Sequence, residues 1–270
     1  MLRVSLIILV LSGSIIAYPQ KLKLSTPSDS ALYFYYEGWR QVMDEGNYSK
    51  AEMAYRQMMK HDPDFLIGLS LLGRITKDLN ERQQIELHLL NHKDEVGGDE
   101  RILLNTFIDL VKLTNQRETN PGEAPRQMES IFKTGEQSLL YLVHHYPEEV
   151  YYKAEYIEVL HRNHGPQTAL DSLYALASQD QQTLPFLLGY AANLQAEIGQ
   201  FTDALNKAEK LQQIMDTQSP KPYVVYSNIY FKMGKLETAL EWATKALTFD
   251  PENIDAQRMM AKVKLELTKR

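Results

Sequence analysis

Cysteine is missing from this chain altogether. That excludes disulfides, thiolate nucleophiles, cysteine-based zinc sites and a lipid-modified cysteine behind a leader. Positive charge is scarce too: 29 Lys and Arg stand against 35 Asp and Glu, a formal net charge of -6, with no basic block or stripe to override it. A chain of this balance offers phosphate backbones no general attraction, so nucleic acid is not expected as a partner. The motifs that carry common chemistries are also absent: there is no HExxH, no GxSxG elbow and no Gly-rich loop ending in Lys-Ser/Thr. Long apolar runs are confined to the first residues, "MLRVSLIILVLSGSIIAYPQ", which have a basic start at Arg3 and an apolar stretch from Val4 to Ala17. At about 14 residues this stretch is shorter than the roughly 20 that span a bilayer, so a cleaved export signal ending at Ala17 is expected, with cleavage after Ser14 or retention as an anchor as alternatives. The expected location is periplasmic or extracellular, with no stable membrane span once the signal is removed.

The chain as a whole has 44% hydrophobic and 24% charged residues, a globular composition rather than a disordered one. Histidine gives the only handles for chemistry. His88 and His92 are four apart on an expected helix with Glu86 nearby, yet two good ligands fall short of the three or four that a metal takes. His144, His145, His161 and His164 are expected near helix ends, where interaction with the helix dipole accounts for them, and no orienting carboxylate is identifiable. No catalytic residue, metal or cofactor is therefore expected.

The last hundred residues carry a repeat. In "ETALEWATKALTFDPEN" the residues Ala239, Leu240, Ala243, Ala246 and Leu247 fall on one face of a helix. Tyr223, Tyr226, Ser227 and Tyr230 do the same before Gly234, which suits a left-handed helix end. Asp250 is expected to cap the next helix, with Pro251 in its first turn. Moving back in steps of 35 aligns Ala239-Leu240 with Ala204-Leu205 and Ala169-Leu170, and Gly234 with Gly199. The order recurs upstream in "EGNYSKAEMAYRQMMKHDPD", with Gly46, Tyr48, Ala51, Tyr55, Met58 and Pro63. Small residues at such positions let two helices cross at about 8–10 Å. Further helices are expected in the middle, a loop at 114–125 ("TNQRETNPGEAP") and a turn at Gly97-Gly98.

Together with "GKLETALEWATKALTFDPEN", the upstream stretch resembles the tetratricopeptide repeat, over 32–65 and 185–253 with a weaker unit at 150–184. The fold that this resemblance implies is all-α, a right-handed superhelical solenoid of antiparallel helix pairs with about 12–13 helices. The expected organisation is a signal peptide at 1–17, a short linker at 18–28 and an N-terminal helical region at 29–149. An array at 150–184, 185–219 and 220–253 follows, with a capping helix at 253–268. Trp39 takes a position that is ordinarily small, with Gly38 beside it.

The resemblance also implies that the first helix of each unit lines a concave groove. Carried over by register, this selects Tyr33, Tyr36, Arg40 and Met43, then Tyr151, Glu158 and His161, then Phe186 and Asn193, and finally Lys221, Asn228 and Phe231. Asn193 and Asn228, 35 apart, suit a peptide backbone because an amide both donates and accepts. A basic ladder for a terminal carboxylate is lacking, since Ala154 and Gly189 stand at the matching sites. The expected function is a non-catalytic scaffold for another protein or an extended peptide. The alternatives are a carbohydrate or small-ligand binder, suited by 16 tyrosines, and a histidine-based enzyme.

Overall fold

A computed structural model describes residues 21–269; the expected leader at 1–17 lies outside the described residues. These form twelve α-helices and, among the described residues, no strand. The first six are α1 (Asp29–Trp39), α2 (Tyr48–His61), α3 (Leu66–Ile75), α4 (Leu79–His92), α5 (Gly98–Thr119) and α6 (Ala124–His145). They are followed by α7 (Val150–Leu176), α8 (Pro185–Glu197), α9 (Phe201–Ile214), α10 (Lys221–Lys232), α11 (Leu236–Phe249) and α12 (Ile254–Leu267). Helices adjacent in sequence pack in pairs, and α8 and α12 both also touch α10.

The alanines act as their spacing predicts. Ala51, Ala169, Ala204, Ala239, Ala243 and Ala246 are all fully buried, where a larger side chain would push the paired helices apart. Ser227 sits with them and donates from Oγ to the Ala239 carbonyl, 2.6 Å away, tying α10 to α11. Gly199 and Gly234 take φ of 81° and 75°, so α8 and α10 end in left-handed turns that a side chain would strain.

In the first hairpin the small position is Gly38, not Trp39. A Cβ at residue 38 would lie 2.0 Å from the Tyr55 ring, so the missing side chain is what admits that ring into the core. Trp39 turns inward and stacks on Tyr151 with centroids 5.5 Å apart. Residues Arg40–Glu45 continue α1 as a π-helical turn ending at Gly46, which has φ 65°. The preceding segment is packed: Leu22 and Leu24 are buried, Ser25 donates to Glu100, and Thr26 donates to Asp62.

Three local expectations are revised. The loop expected at 114–125 shrinks to 120–123, because α5 runs on to Thr119, with the Thr114 and Thr119 hydroxyls bonded to carbonyls one turn back, and Pro125 falls in the first turn of α6. Asp250 does not cap α12; Asn253 does, accepting from Ala256 N at 2.7 Å, and this leaves the Asp250 carboxylate for another task. His161 and His164 lie not at a helix end but just before a break inside α7, where Gly165 (φ 85°) and Pro166 interrupt the helix.

Candidate functional site: a chamber behind the closure

The chain folds back on itself. The bend after α1 meets the far end of the sequence, where Asp250 accepts from Tyr48 N (2.7 Å) and Ser49 Oγ (2.6 Å), and Asn253 donates to the Gly46 carbonyl. Beside them Ser219 Oγ donates to the Glu45 carbonyl, Tyr48 OH donates to Asp255, and Lys77 pairs with Glu252. Asp44 completes the closure: it accepts from Phe186 N at 3.0 Å and from Tyr151 OH at 2.8 Å. Burial raises its carboxyl above the usual range, while those two bonds hold it down.

Behind this closure lies a chamber of about 320 Å³. One part of its wall is apolar, built by Leu110, Leu113, Ile131, Phe132 and Leu139 from α5 and α6. Trp39 and Val42 continue that surface. The rest is charged, with Arg74 from α3, Glu155 and Glu158 from α7, Lys221 from α10, and Asp255 and Arg258 from α12. Arg117 also reaches it from α5, and exposure rises toward Arg117, Asp255 and Arg258, which mark the mouth.

Glu155 and Glu158 are three apart, which puts both on one face of α7. Glu155 is nearly buried and accepts from Arg74 Nη2 at 2.7 Å. Burial works most strongly against the Arg74 charge, yet Glu155, Tyr55 and Glu158 together hold the guanidinium above its ordinary range. The cation also lies over the rings of Phe107 (5.1 Å) and Trp39 (5.7 Å), and its Nη1 has no hydrogen-bond partner among the described residues. Glu158 makes no hydrogen bond or ion pair among the described residues. Desolvation, then the nearby Glu155 and Asp255, push its carboxyl up to about 8 against the opposing pull of Lys221 and Arg74. Lys221 rests 4.5 Å from the centroid of the Phe186 ring, has no paired carboxylate among the described residues, and is lowered by burial.

The raised Glu158 has a consequence for stability. Between the ordinary carboxylate value and about 8 the folded chain holds a proton there that the unfolded chain has released. Its contribution is therefore greatest below the ordinary value and is lost as pH rises through that window. Glu158→Gln should flatten the decline in melting temperature between about pH 5 and pH 8. Parallel melting curves for variant and wild type across that range would show that Glu158 ionises freely in the fold.

Of the residues selected by register, Met43, Glu158, Phe186 and Lys221 meet at the chamber. Tyr151 stands directly behind it through Trp39 and Asp44. The others are placed elsewhere. Tyr33 is 63% exposed, Tyr36 donates to Glu149, and Arg40 is held at the surface by Glu37 and Glu45. Asn228 donates to Asn193 at 2.9 Å, so the two amides satisfy each other, and Phe231 packs beside the cluster of Leu236 and Met259. Tyr33, Tyr36, Tyr151 and Tyr152 form no common platform, since Tyr152 is buried and Tyr151 is stacked.

His161 has the carboxylate that the sequence did not reveal: Nε2 lies 3.1 Å from Glu197 and Nδ1 lies 2.9 Å from Tyr190 OH, while His164 meets Glu136 at 2.9 Å. Neither histidine is among the residues lining the chamber. His88 and His92 stack on each other at 4.2 Å, Glu86 accepts from Asn115 instead, and no group of three metal-ligating side chains occurs among the described residues. No described helix is long and apolar enough to cross a membrane.

Sequence reasoning missed Arg74, Glu155, Arg117, Asp255 and Arg258. Two of them carried a signal: Arg74 is the one charged residue in the apolar helix "LIGLSLLGRI", and Glu155 shares its helix face with Glu158. No known family model matches the sequence, and no curated protein is significantly similar to it.

Proposed function

We propose that this is an exported, non-catalytic binding protein of tetratricopeptide-like construction, a right-handed superhelical stack of helix pairs whose inner wall receives a ligand. The observation that carries this reading is the meeting of Glu158, Phe186 and Lys221, each selected by carrying the resemblance over by register, around one chamber. A chamber of about 320 Å³ falls at the small end of ligand sites. Residues 44–49 of the chain itself lie against the starts of α8, α10 and α12, the stretch of inner wall along which an extended peptide would run. This favours a compact ligand, or a single inserted side chain of a partner, over a long peptide. The pairing of both His161 nitrogens away from the chamber favours binding over catalysis.

Native mass spectrometry of the chain isolated from its own source tests this. A bound companion is expected on the wild type, lost when Leu110→Trp fills the chamber and retained in Leu87→Trp, whose site on α4 is 61% exposed. A folded Leu110→Trp protein that keeps the same companion would put the binding surface elsewhere.

A further inference from the structure

The polar groups facing the chamber are unbalanced, and the imbalance selects a ligand charge. Its lining carries the cations Arg74, Arg117, Lys221 and Arg258 and the acids Glu155, Glu158 and Asp255. Two of the acids are already engaged. Glu155 is paired with Arg74, and Asp255 accepts from Tyr48 OH at 3.0 Å with Arg258 standing 3.9 Å away. Glu158, pushed up to about 8, holds a proton near neutrality and presents a neutral carboxyl that donates as well as accepts.

The donors are less well served. Lys221 Nζ has only the Phe186 ring, Arg74 Nη1 has no acceptor, and Arg117 reaches only the sulfur of Met128, all among the described residues. Asp255 and then Asp44 lend Lys221 some negative field, but neither pairs with its Nζ, and both Asp44 oxygens are taken by Phe186 N and Tyr151 OH. At the mouth the cations crowd: Arg117 is lowered by burial and then by its neighbours Arg258 and Arg162. Arg162 continues the α7 face of Glu155 and Glu158 by one further turn. A negative charge entering here meets unpaired donors, and its hydrophobic remainder finds the wall of Leu110, Leu113, Ile131 and Phe132.

On the reading of the chamber as a binding site, we propose that its ligand class is the small amphiphilic organic anion: an acidic head on Lys221 with the Arg74 cation behind it, an apolar body against α5 and α6, and admission past Arg117 and Arg258. Glu158 lies beside the head as a hydrogen-bonding neutral acid. The groups facing it are Glu155 on its own helix, Arg74 on α3, Tyr48 on α2, Tyr190 on α8, Lys221 on α10 and Asp255 on α12. Ionising Glu158 therefore sets a second negative charge against the ligand.

Titration calorimetry with three probes that share one apolar body, octanoate, octylammonium and octanol, tests the proposal on the full chain. Octanoate should bind at least about tenfold more tightly than the other two. Lys221→Met and Arg117→Met should each weaken octanoate by about tenfold, whereas Arg126→Met, an exposed residue beside Glu123, should leave it unchanged. Raising the pH from about 7 to about 9 should weaken octanoate more in the wild type than in Glu158→Gln, a difference that a purely structural role for Glu158 would not produce. Octylammonium binding as well as octanoate, or octanoate failing to bind the folded wild type at millimolar concentration, overturns the proposal whatever the variants do. A companion lost in Leu110→Trp together with preference for the neutral or cationic probe would leave a binding chamber of the opposite selectivity, so the two readings fail separately.

Discussion

Replacing Arg74 by methionine is expected to remove about 3–5 kcal/mol of folding stability, the usual cost of breaking a buried ion pair from one side. Among the described residues Arg74 is the one ion-pair partner of Glu155, whose side chain is only 6% exposed, and methionine leaves an apolar group beside Trp39 and Phe107, where the guanidinium stood, while abandoning that carboxylate. At about 2–4 °C per kcal/mol for a chain of this size, the melting temperature should fall by roughly 10 °C. The double variant Arg74→Met/Glu155→Leu should recover most of the loss, because two apolar groups need no partner. A single variant that melts within about 2 °C of wild type, or a double variant no better than the single one, would show that the pair does not hold the chamber wall together.

Asp250→Ala is expected to cost about 3 kcal/mol or more, and its damage should appear far from the substitution. The carboxylate is 1% exposed as a residue and accepts from three groups: Tyr48 N, Ser49 Oγ and Glu252 N. Removing it strands the first two at the start of α2, at about 1–3 kcal/mol for each buried unsatisfied group. Asp250→Asn, which keeps one carbonyl oxygen, should lose roughly half as much. Hydrogen exchange should place the loosening at the Tyr48 amide and the residues around Gly46 as well as at α12. Protection unchanged at Tyr48 in a variant that melts early would show that Asp250 stabilises only its own turn.

The two ends of this molecule differ in how much of them the sequence discloses. Ala169, Ala204 and Ala239 recur at one interval, and each is fully buried, because the demand for a small residue arises within a single pair of helices. Glu158, Phe186 and Lys221, selected by carrying the resemblance over by register, border the chamber, since the face each occupies is set by its own helix. Arg74, Arg117 and Arg258 were not selected: they belong to α3, α5 and α12, and nothing along the chain says that these three elements border one space. Asp250 shows the same limit from the other side. Its neighbourhood reads as a helix cap, and only the arrival of Tyr48 and Ser49 from the opposite end of the sequence gives it different work. Asn193 and Asn228 were placed side by side by the interval, yet the interval does not reveal that they bond to each other.

The fastening of residues 46–49 to 250–255 joins positions more than 200 apart in the chain. A stack left open at both ends can assemble and fray one unit at a time, because each unit consults only its neighbours. Here the first hairpin waits for the last helix to be synthesised before its bend finds acceptors, so contacts of very long sequence separation must form late and all together. Formation of these contacts is what joins the first hairpin and α12 into a single cooperative unit.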